Sequence, residues 1–499
     1  MLLAGIVFPI PYLLHYAQGD LIGGLWETLT SDYAQNTYQL MAFTAFWALL
    51  FAVPAAWVVS VYSFKGRSLL QRALYLPLAI PAYIIAYTYK GALGPYGTTH
   101  QLFGQFYEID QLSYLAIFMA SVLYPYVYAV SRAVFEQQSI TLIQASLNLG
   151  RSPTQTLLRV VLPLALPAIL SSLTLVIMEV LSNYGAVKYF GIDTFTTEMI
   201  RWWSPVKYHR VISLAFSVLI VVLLIFIIKR VVAKRGRSVD RYQKKASAYK
   251  KPVKGAAQLI CVALCLTPLL IGFIIPVCQL AAWSYQVGGE IWDDDLTRAL
   301  LNTFKMASSA ACLTVTVAVL LRYSSRVVNR GWFSLLLQSS LIGYALPGVV
   351  IGIGILVPLA QINQRYGVLL TDAAWVLIWA YVIRFFAVSF HSIDGAFSKR
   401  SISSFQASRN MGQGYLMTLW RVELPQIKAG LVGAAIMVFV DVTKELPLTK
   451  LFQSFNFETL AIRSFELMET DGAVYDAALP SLMIIAVGLT PVLLLNKHQ

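Results

Sequence analysis

QASLNLGRSPTQTLLRVVLP (144–163) and QASRNMGQGYLMTLWRVELP (406–425) are one pattern written twice, Q-A-S-x-N-x-G-x9-V-x-L-P, 262 residues apart. Each copy predicts a short helix, a turn at Gly150 or Gly412, a second short helix, and Pro163 or Pro425 opening a long apolar stretch. Glycine reaches the positive φ that such a tight turn requires, and proline is at home in the first turn of a helix. A polar excursion of this length between two apolar runs, present twice, reads as a protruding docking element.

The repeat extends outward from these loops. Leu162-Pro163, Glu179, Phe195, Thr197 and Arg201 recur as Leu424-Pro425, Asp441, Phe457, Thr459 and Arg463 at an offset of 262. Upstream, Asn36-Thr37 and Pro81 recur as Asn302-Thr303 and Pro347 at 266. The chain is therefore expected to hold two similar halves, 1–228 and 256–499, joined by a basic linker at 229–255.

Composition places these halves in a membrane. Of 499 residues, 58% are hydrophobic and only 12% charged, against roughly 25% charged in soluble domains. A soluble enzyme, a disordered scaffold and a small disulfide-bonded secreted domain are all excluded. A bilayer core needs roughly 20 apolar residues per helix. That length predicts about twelve spans, near 2–17, 37–62, 73–93, 113–131, 163–182, 211–228, 256–285, 299–321, 333–360, 372–390, 426–446 and 473–495. The fold class is all-α, with six helices in each half. An even number per half gives both halves the same orientation, and parallel repeats place a shared pathway between them. Met1 opens into an apolar run with no basic flank or cleavage site, which predicts an uncleaved first span.

The net charge of +14 follows from topology rather than from nucleic acid. Lys and Arg concentrate in alternate short loops (Lys65, Arg67, Arg72; Arg132, Arg151, Arg159; Arg322, Arg326, Arg330; Lys399, Arg400, Arg409, Arg421) and in the linker. The other loops are acidic or mixed, so the positive-inside rule puts the basic set and both termini in the cytoplasm. Asp293–Asp295 is expected to be a solvated outer loop. Cys261, Cys265, Cys278 and Cys312 form no CxxC pair and are expected to be packed or lipid-facing, and the five His have no i,i+4 pairing for a metal. Many of the 27 tyrosines fall near span ends, where an interfacial belt is expected.

The duplicated loop resembles the EAA loop of binding-protein-dependent ABC importer permeases, E-A-A-x3-G-x9-I-x-L-P. Gln144 and Gln406 replace the family's Glu, and Ser146 and Ser408 its second Ala, beside Ala145 and Ala407. A Gln keeps a hydrogen bond there but not a charged pair. The stretches NYGAVKYFGIDTFTTEMIRWW (183–203) and DVTKELPLTKLF (441–452) resemble the fused double permeases for ferric iron. Fused thiamine permeases share the layout, and polyamine and sulfate permeases share the motif.

The resemblance implies a type I ABC importer permease fold in a bacterial inner membrane. It implies coupling to a separate ATP-binding subunit, in two copies, through Gln144, Ala145, Ser146, Gly150, Leu162, Pro163 and Gln406, Ala407, Ser408, Gly412, Leu424, Pro425. It also implies a periplasmic or extracellular binding protein that delivers ferric iron. No cofactor is expected in this chain, because it has no G-x4-G-K-[ST] phosphate loop; ATP and Mg would sit on the partner.

An ionisable group inside a span is costly and usually faces a wet cavity or the bundle interior. Glu179 and Asp441 are thus candidates for pathway contacts with a cation, or else anchors for the backbone of the next loop. Glu445 is a third candidate gate residue, and Lys444 is expected to pair with Asp441 or Glu445. Arg201 and Arg463 are candidate contacts for the binding protein, the alternative being solvated loop arginines. GVVIG (348–352) has the small-xxx-small spacing that permits close helix packing. An ion-coupled secondary transporter using Glu179 or Asp441 is the competing class of function. A membrane-embedded enzyme lacks a supporting motif.

Overall fold

The computed structural model describes the chain except for residues 1–20, 96, 110, 138–144, 147, 205–208, 237–249, 289–291, 328–336, 338–342, 344–345, 368–373, 399, 401, 454–456, 471–474 and 498–499. The span expected at 2–17, the start of that expected at 333–360, Gln144 and much of the linker lie outside the described residues.

Apolar runs dictate long helices. The first half contains α1 (Leu21–Thr30), α2 (Asp32–Val61), a two-residue strand β1 (Tyr62–Ser63), α3 (Arg67–Ala73), a 3-10 turn at Leu76–Ala79, α4 (Ala82–Leu93), α5 (Thr98–Phe103) and α6 (Leu112–Gln137). Pro153–Thr156 and a π turn at Leu157–Val161 lead into α7 (Leu162–Ser182), followed by α8 (Gly185–Tyr189), α9 (Phe195–Trp202) and α10 (His209–Gly236). Strand β2 (Lys251–Pro252) lies at the end of the linker. Then come α11 (Ala256–Leu269), a π turn at Leu270–Ile274, α12 (Ile275–Val287), α13 (Asp294–Val327), α14 (Gly348–Tyr366), α15 (Ala374–Ser398) and α16 (Ile402–Asn410). Tyr415–Thr418 and a π turn at Leu419–Glu423 lead into α17 (Leu424–Thr443), α18 (Pro447–Leu451), α19 (Leu460–Glu469) and α20 (Ala478–Lys497).

Among the described residues nine helices are long and apolar enough to cross a membrane, or ten if a bent pair counts as one. That pair corrects the span expected at 73–93. Arg67–Ala79 and Ala82–Phe103 meet at 91°, because Pro77 and Pro81 remove amide donors and clash with the preceding turn. The freed carbonyls of a broken helix need partners inside the protein. Tyr124 and Tyr128 on α6 donate to the carbonyls of Leu74 (3.0 Å) and Gln71 (3.1 Å). Tyr83, Tyr87, Tyr124, Tyr128 and Tyr381 are buried, so these tyrosines belong to the core and not to an interfacial belt.

The three π turns share one cause. Each closes one residue before a proline, with Leu162, Ile275 and Leu424 donating to the carbonyls of Leu157, Leu270 and Leu419. Pro163, Pro276 and Pro425 then leave one carbonyl per turn with no helical donor. In the second half's first span that carbonyl is Ile271, and Tyr89 of the first half donates to it at 2.8 Å.

The halves are interleaved. Gly272 lies so close to α6 that a Cβ there would sit 2.1 Å from the Ser121 carbonyl oxygen. A Cβ on Gly488 of α20 would meet the Ala79 carbonyl oxygen at 2.6 Å. The largest buried cluster accordingly joins first-half side chains with Cys265, Trp283, Leu446 and Phe465. A second cluster packs α9 and α10 of the first half against α14, α15 and α17. Parallel β1–β2 pairing and a bond from the Val253 amide to the Ser63 carbonyl (3.0 Å) fasten the linker's end to the first half. Lys250 reaches Glu136 at 3.7 Å.

The four cysteines are unpaired, Cys261 and Cys265 buried, Cys278 and Cys312 exposed on apolar helices. Asp293–Asp295 is not a free loop: Asp293 caps α13 by accepting from the Leu296 amide at 2.6 Å, and Asp294 and Asp295 form its first turn.

Candidate translocation pathway and coupling loops

The two motif loops are built alike. Ser146 and Thr156 share a buried hydroxyl–hydroxyl hydrogen bond of 3.0 Å, and Ser408 and Thr418 share another of 3.0 Å. Gly150 and Gly412 both have φ of 82°. The next residue's amide closes each helix end, Arg151 onto Ser146 (3.3 Å) and Gln413 onto Ser408 (3.2 Å). This six-to-one closure is the Schellman arrangement, for which glycine is the natural left-handed residue. Ala145, Gln406 and Ala407 are exposed on the outer side of the turn, with the Ser turned inward. Ser in place of the family's second Ala therefore has a structural reason: it locks the loop to the helix that follows. Sequence reading missed Thr156 and Thr418, although both begin T-L-x-R-V-x-L-P at the same offset.

Among the described residues, the second half alone anchors its loop with a buried ion pair. Arg326 donates to both carboxylate oxygens of Glu423 (3.0 and 3.1 Å) and to the Phe397 carbonyl (2.8 Å). The two side chains are 9% and 2% exposed. The repeat offsets place Ser60 and Val161 at the matching first-half positions.

Between the halves lies a cavity of about 170 Å³. Its wall is pseudo-symmetric: Val122, Glu179, Ser182 and Asn183 from the first half face Arg384, Asp441, Lys444 and Glu445 at positions 262 later. Glu179, Asp441 and Glu445, the three acids expected in a pathway, thus come together. Asp441 pairs with Lys444 (3.1 Å), and Glu445 pairs with Arg384 (3.2 Å) while accepting from the Leu448 amide (3.0 Å). Asn183 makes the equivalent bond, accepting from the Ala186 amide at 3.0 Å. Arg384 was not singled out by sequence, since a lone Arg within an apolar run at 374–398 has no repeat mate. Gly348 makes room for it: a Cβ there would lie 1.9 Å from Nη1. Gly352, the other end of GVVIG, similarly admits Leu448, Leu451 and Phe452. No group of three or more His, Cys, Asp or Glu side chains among the described residues is placed to hold a metal ion.

At the N-caps of α9 and α19 the repeat register changes. Asn36 and Asn302 donate to the carbonyls of Asp193 (3.1 Å) and Glu458 (3.0 Å). Thr37 and Thr303 accept from the amides of Phe195 (3.3 Å) and Leu460 (2.7 Å). The N-caps of α9 and α19 are therefore Thr194 and Thr459, 265 apart. This corrects the expected pairing of Arg201 with Arg463, which lie one turn apart on matching helices. Arg201 pairs with Asp193 and Glu198, and Arg463 with Asp293 at 2.8 Å. Both are tied within the chain. Burial pushes the Glu458 carboxyl above its ordinary pKa, with Glu466 adding to the effect and Arg463 opposing it.

Residues 35–238 match the family model of the binding-protein-dependent transport system inner membrane component. With the same elements repeated in the second half, the chain is a double permease of the binding-protein-dependent ABC importer class, a multi-pass inner-membrane transport subunit that works with a substrate-binding protein and an ATPase. More particularly, it resembles the Fe(3+)-transport system permease protein FbpB 2 of Haemophilus influenzae, at 24% identity over 519 aligned positions that cover 100% of this chain and 97% of that one. A probable sulfate transport permease of Chlorokybus atmophyticus is 28% identical over 36% of this chain and 66% of its own length. The molybdenum transport permease ModB of Haemophilus influenzae is 31% identical over 29% of this chain and 64% of its own.

Proposed function

We propose that this permease conducts ferric iron, received on its outer face from a periplasmic or extracellular binding protein, through the cavity between permease domains 1–228 and 256–499. Two copies of a separate ATPase, holding ATP and Mg, seat on the loops at 144–163 and 406–425, and both termini face the cytoplasm. The observation that carries the reading is the pair of loops locked by identical Ser–Thr bonds at identical glycine turns. Exposed apolar side chains at matching positions support a protein contact there: Leu149 with Met411, and Leu158 with Trp420. Rigid-body rocking of such parallel halves opens a midplane site to either side in turn.

The iron assignment is supported by the full-length likeness to a ferric permease. The test is ATP-driven uptake by the chain purified with its ATPase and binding protein, offering ferric ion, sulfate, molybdate, thiamine and polyamine in parallel. ATP-dependent ferric uptake is expected. Uptake driven by a proton or sodium gradient without ATP would instead establish the secondary-transport reading.

A further inference from the structure

The cavity between the halves is lined by three acids and three bases, Glu179 and Lys229 from the first half and Arg384, Asp441, Lys444 and Glu445 from the second. At matching repeat positions the first half contributes Val122, Ser182 and Asn183, where the second contributes Arg384, Lys444 and Glu445. Two of the three acids are already neutralised, Asp441 by Lys444 and Glu445 by Arg384. Glu179 has no ion pair or hydrogen bond among the described residues. With Lys229 also on the first-half wall, the cavity offers a metal ion one carboxylate outside the two ion pairs, Glu179, opposite a guanidinium and an ammonium on the second half.

One carboxylate cannot complete the oxygen shell of a hard trivalent cation, and no cluster of three metal-binding side chains stands elsewhere among the described residues. A bare trivalent ion beside a single carboxylate would also leave most of its charge uncompensated in a low-dielectric site, at high desolvation cost. The missing charge must come with the cargo. The second-half wall is suited to receive it, because guanidinium and ammonium groups bind anionic oxygens through charge-assisted hydrogen bonds. Arg384 also has capacity to spare: its Nη1 is buried without a hydrogen-bond partner.

We propose that the cavity passes iron as a ferric complex capped by anionic oxygen ligands, carboxylate or phosphate, with the metal toward Glu179 and the anionic cap toward Arg384 and Lys444. This rests on the ferric reading above. Glu179 and its repeat mate Asp441 consequently differ in role, the first meeting cargo and the second restraining Lys444. A single weak contact to the metal and a shared contact to the cap also suit a site that must release what it binds.

The test uses proteoliposomes holding the full chain with its ATPase and binding protein, loaded with radiolabelled ferric ion alone, with carbon-labelled citrate, or with radiolabelled phosphate. The expected result is that one labelled anion enters in fixed ratio to iron, and the two arms identify which. R384Q is expected to lower iron uptake about tenfold, the loss of roughly one charge-assisted bond, whereas R384K, which keeps the positive charge, recovers part of it. Wild-type entry of iron unaccompanied by either anion, or R384Q uptake equal to wild type, would overturn the proposal. Failure of iron to enter under any of the three loadings overturns the ferric reading beneath it.

Discussion

Gly150 and Gly412 show how much one torsion carries. Both stand at φ of 82° with open space where a Cβ would go, so any penalty for substitution is conformational and not a clash. A β-branched residue is strained there by about 1–2 kcal/mol, whereas Asn tolerates the left-handed region. Replacement of either Gly by Val is expected to cut uptake several-fold while ATP hydrolysis continues, and replacement by Asn to be mild. Side-by-side assays of hydrolysis and uptake check this. The Arg326–Glu423 pair makes a second residue-scale case. Breaking a buried pair costs about 3–5 kcal/mol, but replacing both partners by a compatible uncharged pair is often neutral. E423V alone is expected to lower the detergent melting temperature strongly, and E423V with R326S, which imports the first half's own residues, to restore much of it. The glycine turns were legible because the motif spells them. The ion pair was not, because it joins residues 97 apart.

Elements were legible where the helix runs on, even across Pro54 in α2 and Pro125 in α6, and misread where Pro77 and Pro81 fall four residues apart. The runs behind α2, α6, α13 and α15 predict their helices to within several residues. The run at 73–93 looked equally continuous, yet Pro77 and Pro81 break it and buried tyrosines stabilise the break. Hydropathy sums side chains and is blind to where carbonyls find donors. Tyr89 offers a direct check on this idea. Its hydroxyl serves the Ile271 carbonyl that Pro276 leaves without a helical donor, so Tyr89→Phe is expected to destabilise by about 1–3 kcal/mol, the cost of an unsatisfied buried acceptor. Thermal unfolding of the variant in detergent measures it, and no change in midpoint would mean the carbonyl finds another partner.

At the scale of the molecule, the repeat located the two motif loops and paired Glu179 with Asp441, which line one cavity. What it concealed is asymmetry: Arg384, Lys444 and Glu445 lack ionisable mates, and three extra residues ahead of Thr459 shift the register at that N-cap to 265. Positions at which the halves have diverged carry no repeat signal even when they line the cavity. The central claim is that this cavity between the halves is the pathway and that ATP switches the side to which it opens. Ser182 lines the cavity beside the charged groups, and Ser182→Cys, in a chain whose four native cysteines are replaced by Ala, reports on access. Labelling by a membrane-impermeant thiol reagent in reconstituted vesicles is expected to move from one face to the other when the ATPase is trapped with ATP. Labelling from the same face and at the same rate with and without ATP would contradict the account.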